Sequence, residues 1–360
     1  MNSNSQALIK FREYLLGPTR FMTLLSCFEL GLIESLKAHP QGKMNAEQLG
    51  ERVGITAHKV EQMMSLLVKE GLVAHSHRSG EYTLDGIGSL TDDDLTRVLN
   101  WMHMVKDVCL RQLYYLSASV RNGSTEGLKE IYGFDGTFYE AITHHPDLGR
   151  SWGKVIDEVA SRVDPWFHGN LTLERNAKVL DLAGNTGMGA ILACQHHRGL
   201  GIHVTCFDFP EKESEAIANF RRHGTEENCS FVGGNALEEI PGGFDVVLVK
   251  HFLELFDKEK ACRALRNAHT ALNPGGKIYI FSPMYGENFK GSYMVDFFPA
   301  YFLGCVTGEG GLQKMSTYQE WLEECGFRVT GTLSEDMNSL PQDVILAHGM
   351  ICAVKDEPSS

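Results

Sequence analysis

Over 6–39, apolar residues recur every three or four positions: Leu8, Phe11, Leu15, Leu16, Phe21, Leu24, Leu25, Phe28, Leu32 and Ile33. That spacing returns side chains to one face of a helix, so the stretch predicts helix. A further run, Met44 to Gly50, leads through Val53-Gly54-Ile55-Thr56 into a periodic stretch from about Ala57 to Glu70. This predicts helix, glycine-containing turn, helix, with Asn45 and Thr56 able to cap the two helices. Leu72-Val73-Ala74 and Tyr82-Thr83-Leu84, joined through Ser79-Gly80, predict two short strands, and the whole reads as a winged helix. Its second helix offers Val60, Met63, Met64, Leu66, Leu67 and Val68, with charges that nearly cancel. A helix that reads DNA presents Arg, Asn or Gln to base edges. The module is therefore read as one for dimerisation.

Residues 95–170 predict a helical middle rich in large side chains. Beyond 178 the pattern shifts to short apolar runs at 178–182, 202–207, 229–232, 244–249 and 277–282, with a C-terminal pair near 327–333 and 347–354. Strands alternating with helices predict a mostly parallel sheet. A helix over 257–272 starts after Asp257 and stops before Asn273-Pro274-Gly275-Gly276, a strong breaker. The boundaries expected are 1–95 for the winged helix, 96–170 for a helical linker or substrate lid, and 171–360 for the α/β domain.

One stretch carries chemistry: Lys-Val-Leu-Asp-Leu-Ala-Gly-Asn-Thr-Gly-Met-Gly, from Lys178 to Gly189. A strand ends near Asp181, turns through Gly184 and Gly187, and enters a helix. The next strand, His203 to Phe207, ends on a second acid, Asp208, whose carboxylate suits a ribose diol. This is the nucleoside-binding half of a Rossmann-like sheet. The order is not the G-x-G-x-x-G of a dinucleotide site. An acid ahead of the turn repels phosphate and helps to position an ammonium or sulfonium, which favours S-adenosylmethionine over NAD. Strand ends at 181–187, Asp208-Phe209, Asn235-Ala236 and Lys250-His251 converge on one sheet edge, where open α/β sheets bind ligands. There Asn235 can accept from the adenine amine, Phe209 and Ala236 can flank the ring, and Lys250 can support the methionine end.

Composition narrows the partners. A formal net charge of −13 over 360 residues argues against nucleic acid. Nine scattered cysteines without a C-x-x-C pair read as reduced thiols, and the N-terminal residues lack the pattern of a secretory signal. No uncharged apolar run reaches eighteen residues, so no membrane partner is expected, and the expected location is cytoplasmic. The 15 histidines include the pairs His144-His145 and His196-His197, neither at the i,i+4 spacing of a helical metal site, and no metal is expected.

At this point the chain resembles the class I S-adenosylmethionine-dependent O-methyltransferases of the plant caffeate and bacterial polyketide type. The resemblance runs from about residue 15 to 354. It rests on Glu29-Leu30-Gly31-Leu32, Val179 to Gly187, Phe207-Asp208-Phe209-Pro210 and Ala271-Leu272-Asn273-Pro274-Gly275-Gly276. It implies an α/β fold: a Rossmann-like methyltransferase domain preceded by an all-helical winged-helix dimerisation domain, in a homodimer. It also implies methyl transfer to a hydroxyl of a small aromatic metabolite, as in secondary metabolism. The cofactor residues implied are Asp181, Ala183, Gly184, Asn185, Gly187, Asp208, Phe209, Asn235, Ala236 and Lys250.

Three departures from the family pattern stand out. Ala183 and Asn185 occupy usual glycine positions, and Asn235 replaces an acid. In place of Leu-His-Asp-Trp after the fourth strand, the chain has Val249-Lys250-His251-Phe252-Leu253-Glu254-Leu255-Phe256-Asp257. Glu254 then falls at the histidine, with His251 three residues earlier, so either is the base or none is used. A base contributes roughly 10²–10⁴-fold, whereas in-line positioning contributes about 7–11 kcal/mol. Methyl transfer therefore survives the loss of the usual histidine. The alternative is a cofactor-retaining homologue that hydroxylates, decarboxylates or rearranges its substrate, and N-methylation is open on the same scaffold. Substrate contacts are expected from His103, Met104, Trp152, Met294 and Phe298.

Overall fold

A computed structural model describes residues 3–287, 293–336, 339–340 and 344–356. The chain divides into two compact units, 1–102 and 103–360.

The first unit holds α1 (Ser3–Glu29), α2 (Leu32–Ala38), α3 (Ala46–Val53) and α4 (Ala57–Lys69). The helix expected over 6–39 is broken at Gly31, whose φ of 77° ends one helical path and starts another. Asn45 and Thr56 cap α3 and α4 as expected, and Gln48 answers Asn45 in a reciprocal capping box. The unit is not wholly helical. To the two wing strands β2 (Val73–His75) and β3 (Glu81–Leu84) it adds β1 (Lys43–Asn45), in the antiparallel order β1-β3-β2. Three residues, the last of them the cap Asn45, carry too little periodicity to read as a strand. Val60, Met64 and Leu67 of α4 are fully buried with Leu32, Leu36 and Leu49, so that helix spends its apolar face on its own core. Most of the apolar residues left in water in this unit are on α1, where Phe11, Tyr14 and Leu15 are each more than 70% exposed.

The second unit begins in the last turn of α5 (Asp92–Met104). A π-helical turn then leads to α6 (Arg111–Leu113), α7 (Leu116–Asn122), α8 (Glu126–Tyr132), α9 (Phe138–His144) and the long α10 (Pro146–Gly169). The sheet follows: β4 (Lys178–Leu182), α11 (Met188–His196), β5 (His203–Asp208), α12 (Glu213–Arg222), β6 (Cys229–Gly233), β7 (Phe244–Lys250), α13 (Lys258–Ala271) and β8 (Leu272–Pro283). Then come α14 (Met294–Tyr301), α15 (Met315–Glu324), β9 (Phe327–Ser334) and β10 (His348–Lys355). The strand order is β6-β5-β4-β7-β8-β10-β9, parallel except for β10, which runs antiparallel to both neighbours. From β4 the chain steps outward to β5 and β6, then returns to place β7 on the other side. That reversal is the topological switch point where open sheets leave a crevice at the strand ends. One buried layer packs α13 and α15 on the sheet, and another packs α10, α11 and α12 on its opposite face. No helix among the described residues is long and apolar enough to cross a membrane.

Candidate active site

The β4–α11 turn is built around its first acid. Asp181 is 4% exposed and lies under the loop. A Cβ at Gly184 or Gly189 would stand 2.6 or 2.5 Å from Asp181 Oδ2, so only glycine lets the backbone close over the carboxylate. Gly187, at φ 78°, is excluded from bearing a side chain by Phe220, 2.4 Å from where its Cβ would be. Burial pushes the Asp181 carboxyl up to about 6, opposed by the Lys250 ammonium and reinforced by Asp208 and Asp164. Ala183 and Asn185, at φ 58° and 50°, hold the left-handed backbone that glycine would hold more cheaply.

Asp208, at the tip of β5, accepts from the backbone N–H of Asn185 at 2.8 Å and of Phe209 at 2.7 Å. Burial raises its carboxyl, while those two N–H groups pull it back. The first β-turn and the second acid are thus one hydrogen-bonded unit. Phe209 is exposed beside it, and Ala236 is buried at the neighbouring loop. Asn235 Oδ1 accepts from Leu237 N–H at 3.0 Å, and its Nδ2 donates to Glu238 at 3.3 Å. The amide closes its own turn, with one lone pair of the oxygen left for a ligand amine.

Lys250 has a partner that the sequence did not signal. Its ammonium donates to Asp164 Oδ1 of α10 at 2.5 Å and lies 5.9 Å from the centre of the Phe167 ring. Next to it, His251 takes φ 51°, its N–H donating to Phe281 O at 2.9 Å. The following 3₁₀ turn, Leu253–Leu255, brings Glu254 Oε1 to 3.5 Å from His251 Nδ1. Glu254 is 4% exposed, and its Oε2 is buried without a hydrogen-bond partner among the described residues. Two phenols feel that carboxylate. The hydroxyls of Tyr139 and Tyr318 are pushed up by burial first and by Glu254 second. A loop fixes the turn from behind: Gly311 N–H donates to Glu254 O at 2.8 Å, and Lys260 holds Glu309 at 2.5 Å.

Beside Tyr139 lies an aromatic cluster. Trp152 Nε1 donates to the Tyr301 hydroxyl at 3.2 Å and meets Phe138 and Tyr139 edge-on at 5.8 and 5.7 Å. Phe298 and Met294 are buried on α14, the helix that carries Tyr301. Met104 packs its sulfur 3.8 Å from the Cys109 thiol, and His103 is half-buried on the last turn of α5. Among the described residues, no group of three or more His, Cys, Asp or Glu is arranged to hold a metal ion.

The comparisons with known proteins complete the picture. Residues 113–328 match the O-methyltransferase domain model, and residues 12–91 match the O-methyltransferase dimerisation domain. The chain belongs to the O-methyltransferase family. As a member it draws on S-adenosylmethionine, as the glycine turn and its two acids imply, and membership does not favour the non-methylating alternative. This O-methyltransferase is 23% identical over 344 residues to an L-tyrosine C(3)-methyltransferase of Streptomyces lavendulae, covering 95% of the chain and 91% of that protein. It is 25% identical to a 3-amino-4-hydroxybenzoate 4-O-methyltransferase of Streptomyces cremeus, covering 88% and 84%. Its fold is similar to that of the S-adenosylmethionine-dependent methyltransferase SibL, with a TM-score of 0.75 and 20% identity over 97% of this chain and 99% of that one. Human N-acetylserotonin methyltransferase in complex with SAM gives a TM-score of 0.71 at 22% identity, over 99% and 100%.

Proposed function

We propose that this O-methyltransferase methylates a hydroxyl of a small phenolic metabolite, with Glu254 as general base and His251 as its partner, in a homodimer formed through the N-terminal unit. The observation that carries the reading is the Glu254 carboxylate, buried, half unpartnered, and set beside an aromatic cluster at the switch-point edge. A buried carboxylate oxygen without a donor is unfavourable. A phenolic O–H arriving beside the Tyr139–Trp152 pair supplies that donor. Asp208 holds the ribose hydroxyls, Asn235 the adenine amine, and the loop over Asp181 the methionine end. Met294, Phe298 and Trp152 line the acceptor's apolar faces.

In the step itself, Glu254 removes the phenolic proton as the oxygen lone pair attacks the methyl carbon. The carbon–sulfur bond breaks, its electron pair stays on sulfur, and S-adenosylhomocysteine leaves. A free phenol is only about 10⁻³ ionised at neutral pH, so the base adds to what positioning supplies. The 3-amino-4-hydroxybenzoate acceptor named for the Streptomyces cremeus relative supports the acceptor class. A second reading is favoured by the L-tyrosine C(3)-methyltransferase, a relative that covers 95% of the chain. Methylation then falls on the ring carbon beside the hydroxyl: deprotonation of the hydroxyl drives that carbon onto the methyl group, and the proton on that carbon then leaves as the oxygen is reprotonated, which restores the aromatic ring.

The test is a panel of hydroxybenzoates and hydroxynaphthoates incubated with methyl-labelled donor and analysed by mass spectrometry and NMR. Labelled methoxy product is expected, and Glu254→Gln is expected to lower kcat by about 10²–10⁴-fold with donor affinity unchanged. Label on a ring carbon selects the second reading. Full activity in Glu254→Gln removes Glu254 as base.

A further inference from the structure

Behind the Glu254–His251 pair lies a buried polar cluster that the reaction above does not use. Glu335, just beyond β9, accepts from Arg162 Nη1 at 2.6 Å through Oε1. Its Oε2 accepts from the backbone N–H of His348 at 2.8 Å and lies 3.1 Å from His348 Nδ1. Arg162 also donates to Leu346 O at 3.4 Å. Arg162 Nη2 also stands 3.4 Å from His348 Nδ1, but the Glu335 oxygen is nearer, at 3.1 Å, and only accepts, so the proton of neutral His348 sits on Nδ1. Burial drives the His348 imidazole down to about 3, with Glu335 opposing and the His251 and Arg162 charges reinforcing, which keeps it neutral. Its Nε2 is then a bare lone pair. The residue is 1% exposed, and that nitrogen has no hydrogen-bond partner among the described residues.

What lies against His348 is His251. The two rings are 5.1 Å apart at 74° with no direct hydrogen bond between them, a separation that one bridging water can span. Phe281 fixes both, stacked on His348 at 5.0 Å and edge-on to His251 at 5.6 Å. We infer that His348, clamped by Glu335 and Arg162, is a positioning residue that selects the His251 tautomer. As an acceptor, it draws the His251 proton to Nε2 and leaves Nδ1 bare toward Glu254. His251 Nδ1 then receives the proton that Glu254 takes from the acceptor hydroxyl, which resets the carboxylate for the next turnover. No other reactant is consumed: one proton moves from acceptor oxygen to Glu254, then to His251, then to solvent.

The inference rests on Glu254 and His251 handling the proton, so its test is read without turnover as well as with it. Histidine-labelled protein with S-adenosylhomocysteine bound is compared by ¹H–¹⁵N correlation for wild type, His348→Phe and His348→Gln, with His251 assigned by its own substitution. Wild type is expected to show the Nε2–H form of His251. His348→Phe keeps the stack on Phe281 but removes the acceptor. It is expected to lose that form and about tenfold in kcat, with KM for both substrates within twofold. His348→Gln restores an acceptor oxygen and is expected to recover most of both. An unchanged His251 tautomer in His348→Phe overturns the inference. A shifted tautomer together with full activity in Glu254→Gln leaves the positioning intact and removes the base assignment instead.

Discussion

Ala183 and Asn185 occupy left-handed backbone in a turn where neither residue type is at ease. A left-handed alanine costs roughly 1–2 kcal/mol, partly offset in a glycine by its greater chain entropy. Ala183→Gly is therefore expected to stabilise the second unit by about 0.5–1 kcal/mol and to raise its melting temperature by about 1–4 °C. Differential scanning calorimetry checks this, and a lower melting temperature refutes it. Asp181 makes a different kind of prediction. Its carboxyl, pushed up to about 6 by burial, is half protonated near that pH in the free protein. A bound sulfonium and ammonium favour its charged form, so the complex holds fewer protons than the free enzyme. Donor affinity is then expected to rise with pH through 6, with proton release on binding measured by calorimetry in buffers of different ionisation heat. Affinity flat from pH 5 to 7 contradicts it. The turn proposed to hold the cofactor was legible as a unit because it is local: an acid, two glycines and the acid of the next strand all lie within about thirty positions. Asp164, Arg162, Glu335 and His348 were not, because nothing local marks them. Arg162 and Glu335 meet across 173 residues.

Among the elements, the strands of the second unit fall where short apolar runs placed them, since β4, β5, β7 and β8 are largely buried on both faces, while the edge strand β9 is mostly exposed. The departures are at places where tertiary context wins. Asn273-Pro274-Gly275-Gly276 ends α13 as expected, yet it already belongs to β8, which accommodates it with a register shift beside Phe244. The 308–311 segment shows what sequence spacing hides. A Cβ at Gly308 would stand 2.5 Å from Ser124, and one at Gly310 2.5 Å from the Glu254 carbonyl oxygen. This loop is packed to contact on the turn that carries Glu254, the proposed base. Gly310→Ala, strained at φ 75° as well, is expected to displace that turn and lower kcat by at least tenfold while leaving donor affinity within about twofold. Steady-state kinetics beside donor titration separate the two. Equal loss of both places the damage in general unfolding.

At the scale of the whole molecule, the exposed apolar side chains of α1 call for a covering surface. Soluble chains seldom leave Phe11, Tyr14 and Leu15 together in water. The matched dimerisation domain covers this helix from residue 12 onward. Sedimentation is expected to give twice the 40.1 kDa chain mass, and the double variant Phe11→Asp, Leu15→Glu is expected to sediment as a folded monomer. A wild-type monomer at micromolar concentration refutes the assembly. The cofactor's grip is the claim on which the rest depends, and its most direct test is a calorimetric titration with S-adenosylhomocysteine of wild type and Asp208→Asn. The asparagine keeps one acceptor for the Asn185 or Phe209 N–H but loses the charge-assisted bonds to the ribose, worth roughly 1.5–3 kcal/mol each. One site per chain in wild type and at least tenfold weaker binding in Asp208→Asn are predicted. No heat in wild type, or equal affinity in both, contradicts the account.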